Sequence, residues 1–100
     1  MFNSSDFAIV IISEDSLFVT SIIGKISISE MEVLIERAIG LVDFKILLDE
    51  LIREGFIEIK VIVDPKITFD DYLEIEKYTN SMYSDRSIKL YQEHDFEMLI

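Results

Sequence analysis

The segment from Ser27 to Val63 constrains the fold of this chain more than any other stretch, because it contains both a start pattern and a stop pattern for helices. Ser29 and Glu32 have the S-x-x-E spacing of a capping box, in which each side chain accepts a hydrogen bond from the other residue's backbone N–H. At the far end Arg53 precedes Gly55, and glycine commonly closes a helix in the left-handed conformation. The sequence therefore predicts helical structure between these two ends.

Two apolar stripes within this segment would point in different directions on one continuous helix. The first stripe consists of Met31, Leu34, Ile35, Ala38 and Ile39. The second stripe consists of Phe44, Leu47, Leu48, Leu51 and Ile52. At roughly 100° per residue the two directions differ by more than about 90°, so one straight helix could not bury both against a single core. We therefore expect two helices that meet near Gly40, followed by a strand from Phe56 to Val63.

The chain on either side of this segment predicts further strands and a third helix. Two apolar runs, Phe7–Ile12 and Leu17–Ile23, flank four polar residues, which is typical of a β-hairpin. Thr68 begins a third helix that runs to about Tyr83, and a last strand follows at Ser87–Gln92. The buried stripe predicted for that helix consists of Phe69, Tyr72, Ile75, Tyr78 and Met82. We expect one α+β domain over residues 1–100, in the order β-β-α-α-β-α-β, with an antiparallel hairpin and helices packed on a small sheet.

Residues 28–59, I-S-E-M-E-V-L-I-E-R-A-I-G-L-V-D-F-K-I-L-L-D-E-L-I-R-E-G-F-I-E-I, resemble the helix-turn-helix part of winged-helix domains. In that family the second helix enters the DNA major groove, so the resemblance implies a transcription regulator. The exposed positions expected on that helix are Asp43, Lys45, Asp49, Glu50, Arg53 and Glu54. Four acids against two bases oppose contact with DNA phosphates, so the resemblance implies the fold more than the function.

The composition combines a large apolar content with strong acidity. Half of the residues are hydrophobic, the mean hydropathy is +0.33, and the formal net charge is -11. No basic patch is visible, so nucleic acid is not an expected partner. The apolar surplus instead indicates contact with another protein or with a second copy of the chain, as in a homodimer. The partner surface predicted here includes one face of the Phe7–Ile12 run and the C-terminal residues Phe96, Met98, Leu99 and Ile100.

The sequence contains few groups on which catalysis could depend, so we expect no enzyme, no cofactor and no metal. The one histidine, His94, lies between two acids near the end of the chain, and no phosphate-binding or zinc-binding motif is present. Asp70, Asp71 and Glu74 could gather a divalent ion, although acids at a helix start are already favoured by the helix dipole. The segment from Ile57 to Tyr91 resembles the strand-helix-strand end of minimal nucleotidyltransferases. It lacks that family's glycine-serine turn and paired aspartates, so the resemblance does not imply the activity.

The absence of cysteine and of a basic N-terminal stretch favours a cytoplasmic protein, and no apolar run is long enough to span a membrane. Eighteen isoleucines, with one glutamine and two asparagines, favour a thermophilic source. The function expected from these features is a non-enzymatic regulatory or protein-interaction module with an acidic surface. Two alternatives stay open, a winged-helix-type transcription regulator and an acidic inhibitor that mimics nucleic acid, as small viral proteins do.

Overall fold

Strands and helices alternate along the chain in the structure, a computed structural model that describes residues 7–26, 34–82 and 87–92. The elements are β1 (Phe7–Ile12), α1 (Ser16–Ile26), β2 (Leu34–Ala38), α2 (Gly40–Arg53), β3 (Glu58–Val63), α3 (Phe69–Met82) and β4 (Ser87–Gln92). The four strands pair in parallel, in the order β2-β1-β3-β4. Alternating elements and parallel pairing together make an α/β arrangement.

The sheet is covered on both faces, and the two faces bury different residues of the same strands. Alternate residues of β1 and β3, including Val10 and Val61, pack against α2 and α3 in the larger core cluster. The intervening residues Ile11 and Ile62 pack against α1 in the smaller cluster. Strands buried on both sides have nearly continuous apolar sequences, which explains the unbroken run in β1. Strand β1 is therefore central and covered on both faces, so neither face of it is free to form the expected partner surface.

The predicted antiparallel hairpin is wrong, because its second run, Leu17–Ile23, lies within helix α1. The Asp15 carboxylate caps this helix and accepts from the backbone N–H groups of Leu17 at 2.9 Å and Phe18 at 3.4 Å. A carboxylate cap of this kind stabilises a helix by about 1 kcal/mol. The helix then buries Val19, Ile22 and Ile26, which recur at helical spacing. Cap and packing together override the β propensity of the run.

The prediction of a helix before Gly40 is also wrong for the residues that the structure describes. Residues Leu34–Ala38 form strand β2, which pairs in parallel with β1. Leu34 contributes to the larger core cluster and Ile35 to the smaller one, so adjacent apolar residues serve opposite faces. The expected element order is corrected to β-α-β-α-β-α-β. Of the helix pair on which the resemblance to winged-helix domains depends, the described residues contain the second helix, α2. The capping pattern at Ser29 lies outside the described residues.

The second half of the sequence folds largely as predicted. Helix α2 ends at Arg53 and is closed by Gly55, which has a φ of 99°, and Phe56 N–H donates to the Leu51 carbonyl at 3.2 Å. This bond across a left-handed glycine belongs to a Schellman motif. Helix α3 begins where the Thr68 hydroxyl accepts from Asp71 N–H at 3.2 Å. The bounds of the last strand, and the inward packing of Ile88 and Leu90, are confirmed.

Helices α2 and α3 meet around Tyr78, whose hydroxyl donates to Asp49 at 2.8 Å. The Tyr78 ring packs edge-on against the buried Phe44 ring, with 6.5 Å between the ring centroids. The Lys45 ammonium lies 5.3 Å from the centroid of the Tyr78 ring. Lys45 and Asp49 therefore face α3, which corrects their expected exposure. Phe69, expected in the buried stripe of α3, is exposed. No helix among the described residues is long and apolar enough to cross a membrane.

Candidate functional site

The order of the strands creates a crevice at the carboxyl edge of the sheet. The chain passes from β1 to β2 on one side and later returns to β3 and β4 on the other. In open α/β sheets, ligands bind outside the carboxyl ends of the strands at such a reversal. A cavity of about 360 Å³ lies at this place, next to the ends of β1 and β3. Its charged lining consists of Glu14, Asp15, Asp64, Lys66 and Asp71.

The floor of this crevice is a buried polar pair formed by Ser13 and Asp64. The Ser13 hydroxyl donates to Asp64 Oδ2 at 2.6 Å, and both residues are almost fully buried. The same hydroxyl accepts from the backbone N–H of Asp15 at 2.9 Å, while Asp64 Oδ1 accepts from that of Lys66 at 2.9 Å. Buried polar groups are stable only when they are bonded in this way. The pair therefore fixes both loops that border the crevice.

Backbone bonds extend this rigid floor across three strand ends. Ser13 N–H donates to the Ala38 carbonyl at 3.1 Å, and Asp64 N–H donates to the Ile12 carbonyl at 3.0 Å. Arg37 Nε donates to the Ser13 carbonyl at 3.2 Å. The ends of β2, β1 and β3 are thus held in register beyond the last paired residues. A site built on such rigid elements is pre-organised, which reduces the free energy that ligand binding must spend on ordering.

The mouth of the crevice is bridged by an ion pair between Asp15 and Lys66, with Nζ and Oδ2 2.7 Å apart. This hydrogen bond, followed by the one from the backbone of Leu17, lowers the pKa of Asp15 below its ordinary value. The same bond raises the pKa of Lys66. The Lys66 side chain is 76% exposed, so water screens the pair and little free energy is needed to separate it.

Side chains cap two of the three helix N-termini at this edge. Asp15 caps α1, and Thr68 accepts from the first turn of α3. The start of α2 has no side-chain cap, but the Asp43 carboxylate lies there and accepts from the backbone N–H of Ile39 at 2.7 Å. Free N–H groups at helix starts are what phosphate-binding sites use in many α/β proteins. The carboxylates of Asp15 and Asp43 would repel a phosphate at the starts of α1 and α2, so an anionic ligand is disfavoured there.

The charge of the crevice lining is strongly one-sided, with four carboxylates against one ammonium group. Lys66 is paired with Asp15, whereas Glu14 and Asp71 are exposed to solvent. Within the described ranges, no three or more acidic or histidine side chains are grouped closely enough to hold a metal ion. The lining is therefore suited to a ligand group that carries positive charge and donates hydrogen bonds, such as an ammonium or guanidinium.

The residues that the sequence predicted as a partner surface are not among those that line the described crevice. Phe96, Met98, Leu99 and Ile100, like His94, are outside the described residues. The Phe7–Ile12 strand is central and pairs with a strand on each side. Of the acids considered as ion ligands, Asp71 lines the crevice.

Sequence reasoning missed the crevice because it assigned its residues to structural roles alone. Ser13, Glu14 and Asp15 were expected to form a hairpin turn, and Asp64 to terminate a strand. A usable pattern was nevertheless present, because both groups of polar residues directly follow apolar strands. Parallel pairing is what brings the two strand ends together, and the pattern of one strand does not reveal the direction of its neighbour.

Comparison of the chain with protein-family models, with curated proteins and with solved structures finds no match. The chemistry of the crevice is therefore the basis on which a function can be inferred.

Proposed function

We propose that this chain is a non-enzymatic binding module that receives a positively charged group in the crevice at the carboxyl edge of the sheet. The observation that carries the proposal is the excess of carboxylates around a pre-formed cavity at the strand reversal. A cationic ligand group would replace Lys66 as the partner of Asp15 and gain the additional field of Glu14 and Asp71. The overall charge of -11 would also raise the rate at which cationic ligands arrive.

The burial and hydrogen bonding of the polar groups in the crevice support a binding role more than a catalytic one. Ser13 resembles a nucleophile beside a carboxylate, but its side chain is inaccessible and its hydroxyl is engaged on both sides. A nucleophile must be able to reach a substrate atom, and general acid–base groups must lie within hydrogen-bond reach of it. Ser13 and Asp64 therefore serve to hold the two loops. The absence of cysteine favours action in the cytoplasm.

The proposal can be tested by following backbone amide shifts of the isotope-labelled chain during titration with small probes. N-acetyl-lysine methylamide carries the required ammonium group, and N-acetyl-norleucine methylamide is a neutral control of similar shape. We expect the lysine probe to shift the amides of Ser13, Glu14 and Asp64, while the norleucine probe leaves them in place.

Inorganic phosphate provides the opposite charge in the same experiment. Because the carboxylates of Asp15 and Asp43 lie at the starts of α1 and α2, phosphate is expected to leave these amides unchanged. Saturable shifts with phosphate, or equal shifts with the lysine and norleucine probes, would contradict the proposed function.

A further inference from the structure

The three most exposed large apolar side chains of the described residues all lie near the start of a helix at the carboxyl edge. Leu17 is 81% exposed near the start of α1, Val42 is 73% exposed near the start of α2, and Phe69 is 73% exposed at the start of α3. In a parallel sheet each of these helices follows a strand, so all three begin at the edge that contains the crevice.

These three side chains, which we name the apolar rim, are close in sequence to residues that line the crevice. Val42 follows the lining residue Leu41, and Phe69 follows the lining residue Thr68. Leu17 lies two residues after Asp15. Scattered apolar side chains are normal on a protein surface, but highly exposed ones at the same edge of the sheet as a cavity are typical of an interaction site.

The combination of an apolar rim and an acidic centre identifies the partner. We infer that the carboxyl edge docks a segment of a basic protein in which a lysine or arginine is flanked by apolar side chains; this rests on the proposed function and names its ligand. The cationic side chain enters the crevice and pairs with Asp15. The flanking apolar side chains cover the rim and remove it from water, which adds binding free energy in proportion to the area buried.

Charge complementarity favours this occupant over a second copy of the chain. Two copies that met through this edge would bring two acidic crevices and two chains of charge -11 together. Like charges across an interface oppose association, whereas a basic partner is attracted from a distance. A free amine would satisfy the crevice but would leave the rim exposed. A protein segment uses both features.

The test uses two short peptides and fluorescence anisotropy. In one peptide a single lysine stands between two leucines, and in the other the leucines are replaced by serines. We expect the leucine peptide to bind at least about tenfold more tightly, because one well-buried apolar side chain contributes that much. Val42→Ser and Phe69→Ser are each expected to remove most of this advantage and to leave binding of the serine peptide unchanged.

Ile57→Ser is the control, because Ile57 is an exposed apolar residue (52% exposed) that precedes β3 at the opposite edge of the sheet. This variant is expected to bind both peptides as the unaltered chain does. An equal loss of affinity in Ile57→Ser and Val42→Ser would overturn the assignment of the rim.

The remaining outcomes separate this inference from the proposed function. Equal binding of both peptides would overturn the rim as a docking surface while leaving the cationic site in place. Failure of both peptides and of the small lysine probe would overturn the proposed function as well. If sedimentation showed a dimer that Val42→Ser and Phe69→Ser convert to a monomer, the rim would be a contact between copies, and the inference would be wrong.

Discussion

The carboxyl edge of the sheet and the contact between α2 and α3 contain similar groups in different packing. At the helix contact, Asp49 and Lys45 surround Tyr78, whose ring packs against the buried Phe44. At the carboxyl edge, Asp15 and Lys66 bridge two loops beside a cavity. Charged pairs therefore indicate a binding site only where a cavity lies beside them. Polar groups that pack closely against aromatic rings instead stabilise the fold.

Of the changes considered in the two regions, the largest loss of stability is expected for one in the helix contact. Phe44→Ala removes a fully buried ring and leaves a cavity, so the free energy of unfolding should fall by about 4 kcal/mol. Ile46→Ala, on the exposed side of the same helix, should change it by less than about 0.5 kcal/mol. Urea denaturation measures both values, and equal effects would contradict the assignment of Phe44 to the core.

A smaller loss is expected at the floor of the crevice. Ser13→Ala removes one of the donors to the buried Asp64 carboxylate, which should cost about 2 kcal/mol. Ser16→Ala, at the exposed first residue of α1, is the control; it removes only a surface bond of 3.4 Å from Arg37 and should be close to neutral. A neutral result for Ser13→Ala in urea denaturation would show that the floor is not held as described.

The hydroxyl of Tyr78 should contribute less to the free energy of unfolding than the hydroxyl of Ser13, because the bond that it makes is only partly buried. Tyr78→Phe keeps the ring and removes the bond to Asp49, so the expected loss is about 1 kcal/mol. Asp49→Ala, which removes the accepting oxygen, and the double variant complete a thermodynamic cycle that isolates the pair. If the two single effects simply add, the bond contributes nothing, and the helix contact depends on apolar packing alone.

The smallest effect on stability is expected for the ion pair at the mouth of the crevice. The bond from Lys66 lowers the pKa of Asp15 in the folded chain, so Lys66→Gln should raise that pKa toward its ordinary value. Because the folded pKa is the lower one, the interaction stabilises the fold above the ordinary carboxyl pKa. That stability is lost as the pH falls through the folded pKa. Carbon-13 NMR of the Asp15 carboxyl group measures the shift, and an unchanged pKa in Lys66→Gln would contradict the pairing.

Local patterns in the sequence predicted the elements that local chemistry determines. The closing glycine of α2 at Gly55, the Thr68 start of α3 and the bounds of β4 all follow from capping and periodicity. Strand β2 was assigned wrongly because its apolar residues pack on both faces of the sheet, and helix α1 because its cap and its packing on one face outweigh the β propensity of its residues. A β-branched run can be buried as a helix once Asp15 caps it, and apolar neighbours such as Leu34 and Ile35 fit a doubly covered strand.

The position of the crevice was missed for a different reason, because it depends on the direction and order of the strands. Ser13 and Asp64 are 51 positions apart and form a pair only because β1 and β3 run in parallel. The β-hairpin predicted from the sequence would have placed Ser13 in a solvent-exposed turn. The acidity of the chain was visible at once, but the gathering of Glu14, Asp15, Asp64 and Asp71 in one place depends on strand order.

The most direct test of a cation-accepting crevice is the effect of two opposite charge changes on binding of the lysine probe. Lys66→Gln removes the internal cation that competes for Asp15, and Asp15→Asn removes the carboxylate while keeping a capping oxygen. We expect stronger binding in Lys66→Gln and weaker binding in Asp15→Asn, each by up to about fivefold for a solvent-screened pair. Weaker binding in Lys66→Gln together with stronger binding in Asp15→Asn would show that the ammonium group is not held by Asp15 and would contradict a cation-accepting crevice.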